Sequence, residues 1–222
     1  ESFKDTAQNI EAMKIDAVVM RHPTPGAPKH LTDFIDAVVI NAGDGTHEHP
    51  TQAILDMMSL KEKFGYIKGL NVGVIGDINH SRVARSNIYG LVTMGANVTL
   101  CGPPNLIPDN IINLGVKVNY NIDEVIEWAD AVNVLRIQRE RMGIGIIPSE
   151  REYRTLFGVT EERLARRGNE LVIMHPGPMN RGVEIDDRVA DSDQAIILDQ
   201  VLNGVASRMS ILYLLLGSKE EG

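Results

Sequence analysis

Residues 71–103 read NVGVIGDINHSRVARSNIYGLVTMGANVTLCGP. NVGVI and NVTLC are short, apolar and rich in β-branched side chains, the composition of buried strands, and between them lies a polar turn and a helical stretch. A strand, a turn, a helix and a second strand make a parallel unit, because two parallel strands need a crossover connection. Similar runs flank it on both sides: DAVVM at 16–20, DAVVI at 36–40, VKVNY at 116–120, DAVNVLR at 130–136, LVIMHPGP at 171–178 and QAIILDQ at 194–200. Helical spacing separates most of them, as in TQAILDMMSLKEKFG, whose apolar residues fall at 54, 55, 57 and 58 with Gly65 as a C-cap. The fold class expected is α/β with two parallel-sheet domains, the first of them incomplete.

The division is expected inside the helix that ends near Phe64, since a new β-α series begins at Leu70. Residues 1–64 and 196–222 would form a partial first domain with linking helices, and 65–195 the second. The closing run VLNGVASRMSILYLLLG reads as a strongly apolar helix packed on a core.

Bulk numbers narrow the function. The 222 residues are 43% hydrophobic, enough for a real core, and carry a formal net charge of −8 with scattered basic residues. That balance argues against nucleic acid or an anionic membrane as a partner, so an anionic ligand would need a local cluster of cations. A single cysteine, Cys101, excludes an intrachain disulfide and fits a reducing, cytoplasmic setting. No apolar run has the length of a membrane span.

The turn after Gly76-Asp77 has the outline of a dinucleotide site, yet Asn79 and Arg82 stand where that fingerprint needs small residues, and no acid ends the second strand to hold a ribose. A nicotinamide cofactor is not expected. His47-Glu48-His49 in NAGDGTHEHPTQAILD invites a metal reading, but a third ligand at a suitable spacing is lacking. The plainer alternative is a capped helix start, with Thr46 or Thr51 as cap and Pro50 in the first turn. Arginines leave several strand ends: Arg21 in VVMRHP, Arg136 in VLRIQRER with Gln138 two residues on, and Arg82 at the first turn of a helix. Each alone is more often a structural ion pair. Together, in an acidic chain, they suggest a multiply anionic small substrate bound through bidentate forks. HPGPMNRGVEI adds a rigid Pro176-Gly177-Pro178 backbone whose carbonyls can face a ligand.

VVMRHP, NAGDGTHEHPTQAILD, GDINHSRVARS, VLRIQRER, HPGPMNRGVEI and NGVASRMSILYLLL stand in the order found in the catalytic chains of the aspartate carbamoyltransferase (aspartate transcarbamoylase) family, and the resemblance covers essentially the whole chain. It implies transfer of the carbamoyl group of carbamoyl phosphate to L-aspartate, giving N-carbamoyl-L-aspartate and phosphate in pyrimidine biosynthesis. By motif match, Arg21 and His49 would contact carbamoyl phosphate, with His49 donating to its carbonyl oxygen. Gln52 would bind the carbamoyl amino group. Arg82, Arg136 and Gln138 would bind aspartate, and the Pro176-Gly177 backbone would accept the carbamoyl and amino hydrogens. The resemblance implies no metal, cofactor or covalent nucleophile, and a homotrimer, in some members joined by regulatory or dihydroorotase chains. The family's Ser-Thr-Arg-Thr-Arg phosphate cradle and its lysine loop lie upstream of anything matched here, so an incomplete enzyme is the expectation for these residues alone. Rival readings are ornithine carbamoyltransferase, opposed by Arg136 beside Gln138, and a noncatalytic or regulatory homologue, opposed by retention of the site residues.

Overall fold

The computed structural model describes residues 2–137, 149–167 and 170–217. Two parallel sheets form. Strands β1 (Ala17–His22) and β2 (Val38–Asp44) make the smaller, and β3 (Asn71–Ile75), β4 (Asn97–Cys101), β5 (Lys117–Val118), β6 (Ala131–Val134) and β7 (Val172–Met174) make the larger, ordered β5-β4-β3-β6-β7. Every pairing within them is parallel. The α/β class read from the alternating runs is what the chain adopts.

Helices fill the crossovers. α1 (Phe3–Ala12) and α2 (Ala27–Leu31) flank the small sheet, with Ala7, Leu31, Ile35 and Ala37 as its compact core. α3 (Pro50–Phe64) leads out of β2 and stops at Gly65, which takes the left-handed conformation (φ +81°) expected of a helix-ending glycine. α4 (Arg82–Thr93) joins β3 to β4 and packs Ala84, Ile88 and Leu91 on one face of the large sheet, against Val72, Val74 and Leu100. The other face holds Ile75, Val132 and Ile173 under α5 (Ile122–Trp128) and α6 (Glu150–Phe157), followed by α7 (Glu161–Arg167) and α8 (Asp187–Ala190). With both faces covered, the central strands carry apolar residues continuously rather than alternately.

Two expectations fail. QAIILDQ does not form a strand: Ala195 makes one isolated bridge with Ile173, and from Ile197 the chain is already α9 (Ile197–Gly217). The run is apolar enough for either state, and the helix wins because Gln200 is drawn into a buried hydrogen-bond network one turn in. Nor does α9 pack its apolar surface on a core. Its buried stripe is Ile197, Gln200, Asn203, Gly204 and Ser207, while Leu198 is 82% exposed and Tyr213 78%. Small and polar side chains allow close approach to α3, where Asn203 donates to Ser59 (3.0 Å) and Glu62 (2.7 Å). Among the described residues no helix is long and apolar enough to cross a membrane.

Candidate active site

Between the small sheet and the carboxyl ends of β3 and β6 lies a pocket of about 350 Å³. Arg21, His49, Gln52, Ser81, Arg82, Val83, Arg136, Pro176, Gly177, Pro178 and Arg208 line it. Seven of the eight residues singled out in the sequence therefore meet in one place. The eighth, Gln138, lies outside the described residues. The described lining holds four guanidiniums and no carboxylate, a field that concentrates anions despite the acidic chain.

Each side chain is positioned by a local cause. Arg21 sits within β1, which runs one residue past it, so its guanidinium is carried by a strand rather than by a loose loop. Arg82 opens α4, behind the N-cap Ser81, whose hydroxyl accepts from Ala84 N–H (3.2 Å). From there its side chain crosses to the small sheet and donates to the Gly45 carbonyl (3.2 Å). Gly43 makes room: a Cβ there would come within 2.7 Å of the Arg82 Nε, and its φ of +116° suits only glycine. Arg136 follows β6 at the point where β6 and β3 end side by side.

The two histidines of His47-Glu48-His49 part company. His47 turns back, its Nδ1 3.0 Å from Asp44 Oδ2, and joins a buried carboxylate that also takes hydrogen bonds from Asn41, Gly26 N–H and Glu48 N–H. Those contacts hold the Asp44 carboxyl below the ordinary carboxylate range despite its burial. His49 turns into the pocket. It is itself the N-cap of α3, without a side-chain cap bond, and Pro50 takes the first helical position; neither Thr46 nor Thr51 caps the helix. The His49 backbone N–H is instead anchored on Ser86 Oγ of α4 (2.8 Å). Burial foremost, then the nearby Arg82, Arg208 and Arg21, pushes the His49 imidazole down from 6.5 to about 4, so it is neutral at physiological pH and can donate one hydrogen bond.

Gln52 lies one turn into α3. Its amide nitrogen donates to Asp56 Oδ1 (3.0 Å), and its carbonyl oxygen takes no hydrogen bond from the described residues. On the opposite wall, the Pro176-Gly177-Pro178 segment is tied down at its base. His175 N–H donates to Gln200 Oε1 (2.9 Å), and Gly177 N–H donates to His175 Nδ1 (2.9 Å).

Arg208, from α9, was not singled out by sequence reasoning. The signal lay inside a quoted motif, NGVASRMSILYLLL, where a lone cation in an apolar helix marks a position that must reach something polar. It donates to the Gly204 carbonyl (2.9 Å) and extends into the pocket. Cys101 ends β4, is buried, and its thiol is pushed up to about 12 mainly by that burial, which makes it a poor nucleophile.

Comparison with known proteins identifies this arrangement. Residues 1–62 match the carbamoyl-P binding domain of aspartate/ornithine carbamoyltransferase, and residues 68–215 match the Asp/Orn binding domain of the same family. The chain belongs to the aspartate/ornithine carbamoyltransferase family. Within it, the aspartate carbamoyltransferase catalytic subunit of Gemmatimonas aurantiaca is 57% identical over 221 residues, covering 100% of this chain and 69% of the relative. That of Carboxydothermus hydrogenoformans is 55% identical over 223 residues, covering 100% and 72%. The aspartate transcarbamoylase of Trypanosoma cruzi in complex with N-(phosphonacetyl)-L-aspartic acid superposes with a TM-score of 0.84 at 27% identity, over 96% of this chain and 70% of that one. Both halves of the carbamoyltransferase fold are thus represented, and the pocket is lined by residues from each.

Proposed function

We propose that this pocket carries out carbamoyl transfer from carbamoyl phosphate to L-aspartate, the reaction of the catalytic subunits it resembles, in pyrimidine biosynthesis. The aspartate amino nitrogen attacks the carbamoyl carbon, forming C–N; the C–O bond to phosphate breaks, phosphate leaves, and the amine gives up a proton. In this reading Arg21 and His49 hold carbamoyl phosphate, and neutral His49 donates to the carbonyl oxygen as charge builds on it. Gln52 accepts from the carbamoyl amino group through its carbonyl oxygen. Arg82, Arg136 and Gln138 bind the two carboxylates of aspartate, and the Pro176-Gly177 carbonyls accept the remaining hydrogens. Arg208 adds a fourth cation to the anionic pair of substrates. Catalysis is then proximity plus charge stabilisation.

The observation that carries the reading is the convergence of four arginines, a neutral histidine and a carboxamide in one pocket of about 350 Å³. Guanidinium forks favour a dicarboxylate acceptor over the cationic side chain of ornithine. The same reading takes the molecule as a cytoplasmic homotrimer, with regulatory or dihydroorotase chains as further partners, on the strength of the family resemblance. The assay is carbamoyl aspartate formation from carbamoyl phosphate and L-aspartate. His49→Ala is expected to lower kcat about 10²- to 10³-fold, the usual effect of removing one oxyanion donor, and Arg136→Ala to abolish measurable turnover at ordinary aspartate concentrations. Carbamoylation of ornithine and not of aspartate would replace the acceptor, and full activity in His49→Ala would remove the histidine from its role.

A further inference from the structure

Asp56 lies on α3 one turn beyond Gln52, only 1% exposed, and takes no direct part in lining the pocket. Four side-chain amides surround it. Gln52 Nε2 (3.0 Å) and Gln200 Nε2 (2.7 Å) donate to Oδ1, while Asn87 Nδ2 (2.7 Å) and Asn133 Nδ2 (3.2 Å) donate to Oδ2. They come from four elements: α3, α9, α4 and β6.

The direction of these bonds is fixed by one group that cannot be turned round. His175 N–H is a backbone donor, so the Gln200 atom it meets is the carbonyl oxygen, and the amide's other end, an NH₂, faces Asp56. Asp56 Oδ1 therefore accepts from Gln200. Burial raises the pKa of this carboxyl while the four amide donors favour its ionised form, and as a carboxylate it has no proton to give and orders the Gln52 amide the same way: NH₂ inward, carbonyl oxygen toward the pocket. A carboxamide free to rotate would present either end at similar cost, and half of its orientations would put a donor against the donor hydrogens of a carbamoyl group.

We propose that Asp56 is a positioning residue that sets Gln52 as an acceptor toward the pocket and, through Gln200, ties the same setting to the His175-Pro176-Gly177 wall. This rests on the carbamoyl-transfer reading above. The buried carboxylate thereby links the polarity of one wall to the placement of the opposite one, with Asn87 and Asn133 holding its other oxygen.

A double-mutant cycle on the purified protein tests it, with carbamoyl phosphate as the varied substrate. Asp56→Ala is expected to lower kcat/KM by about 10- to 100-fold, the scale of a misplaced contact at a reacting group. In a Gln52→Ala background the same change is expected to cost several-fold less than in the unaltered protein, because one of the two amides it orders is gone and only the tie through Gln200 is left to lose. Equal losses in both backgrounds would overturn the proposal and leave Asp56 a structural residue. Absence of turnover in the unaltered protein together with no binding of N-(phosphonacetyl)-L-aspartic acid would instead strike the carbamoyl-transfer reading, so the two failures are distinguishable. If Asp56→Ala does not fold, the wild-type protein carries the test through hydrogen exchange of the Gln52 side-chain NH₂, assigned by its loss in Gln52→Ala. Protection from exchange without ligand is the expected result; exchange at the rate of a free amide would show the NH₂ turned into the pocket and refute it.

Discussion

The two sheets differ in how they hold the arginines they deliver. In the five-stranded sheet, β6 is buried along its whole length and β3 everywhere but its first residue, with helices on both faces. In the two-stranded sheet, β1 has no fully buried residue, and Val19 is 63% exposed in the middle of it. Arg136 thus projects from a closed core, whereas Arg21 rides on a ribbon supported by a small cluster around Ala7 and Leu31. Identical guanidiniums can be held with very different stiffness, and the stiffness comes from what lies beneath the strand.

Paired substitutions can break this contrast. Ile75, fully buried at the end of β3, is expected to cost about 2–5 kcal/mol on replacement by alanine, as buried large-to-small changes do. Val19→Ala on β1 is expected to stay within about 0.5 kcal/mol, as exposed changes do. Denaturant unfolding measures both, and comparable losses would mean that the small sheet is as tightly built as the large one.

Gly43→Ala probes the point where the two regions touch. A left-handed backbone and a 2.7 Å approach to Arg82 Nε both oppose the methyl group. A loss of about 1–3 kcal/mol is expected from backbone strain of this kind, with weaker aspartate binding as Arg82 is displaced. Unchanged aspartate KM alongside lowered stability would separate Arg82's packing from any part in binding.

The smallest effect on stability at neutral pH is that of His49 protonation, since its depressed pKa favours the neutral form in the folded state. Its contribution to stability is complete above the unfolded value near 6.5 and is lost as pH falls toward about 4. Nuclear magnetic resonance should show this imidazole titrating near 4. A His49 midpoint near 6.5 would mean that its burial and the surrounding arginines do not act on it as the geometry requires.

The strand runs were legible because a sheet covered on both faces writes itself as continuous apolar segments, and 71–75, 97–101 and 131–134 needed no partner to be recognised. QAIILDQ misled for the same reason, since an apolar run at a helix start has the composition of a strand. The exposed face of α9 was read as a core face because sequence gives apolarity and not what stands opposite. Among site residues, those that leave strand ends were readable one by one, but their convergence depends on topology. Asp56 gave no signal at all: a single acid among Leu55, Met57 and Met58 reads as the polar face of a helix, and the four amides that surround it are up to 144 residues away in the chain.

α3 carries the chain from the small sheet to the large one, α9 follows the last strand of the large one, and the two lie together along a seam of directional bonds: Gln200 to Asp56, Asn203 to Ser59 and Glu62. A greasy seam could slide by small steps. This one cannot, since slipping one helix by a single residue, about 1.5 Å, breaks all three bonds at once and leaves a buried carboxylate short of partners. The offset of α9 along α3 is therefore set by three directional bonds, and with it the distance along the helix axis between the pocket walls that the two helices help to carry.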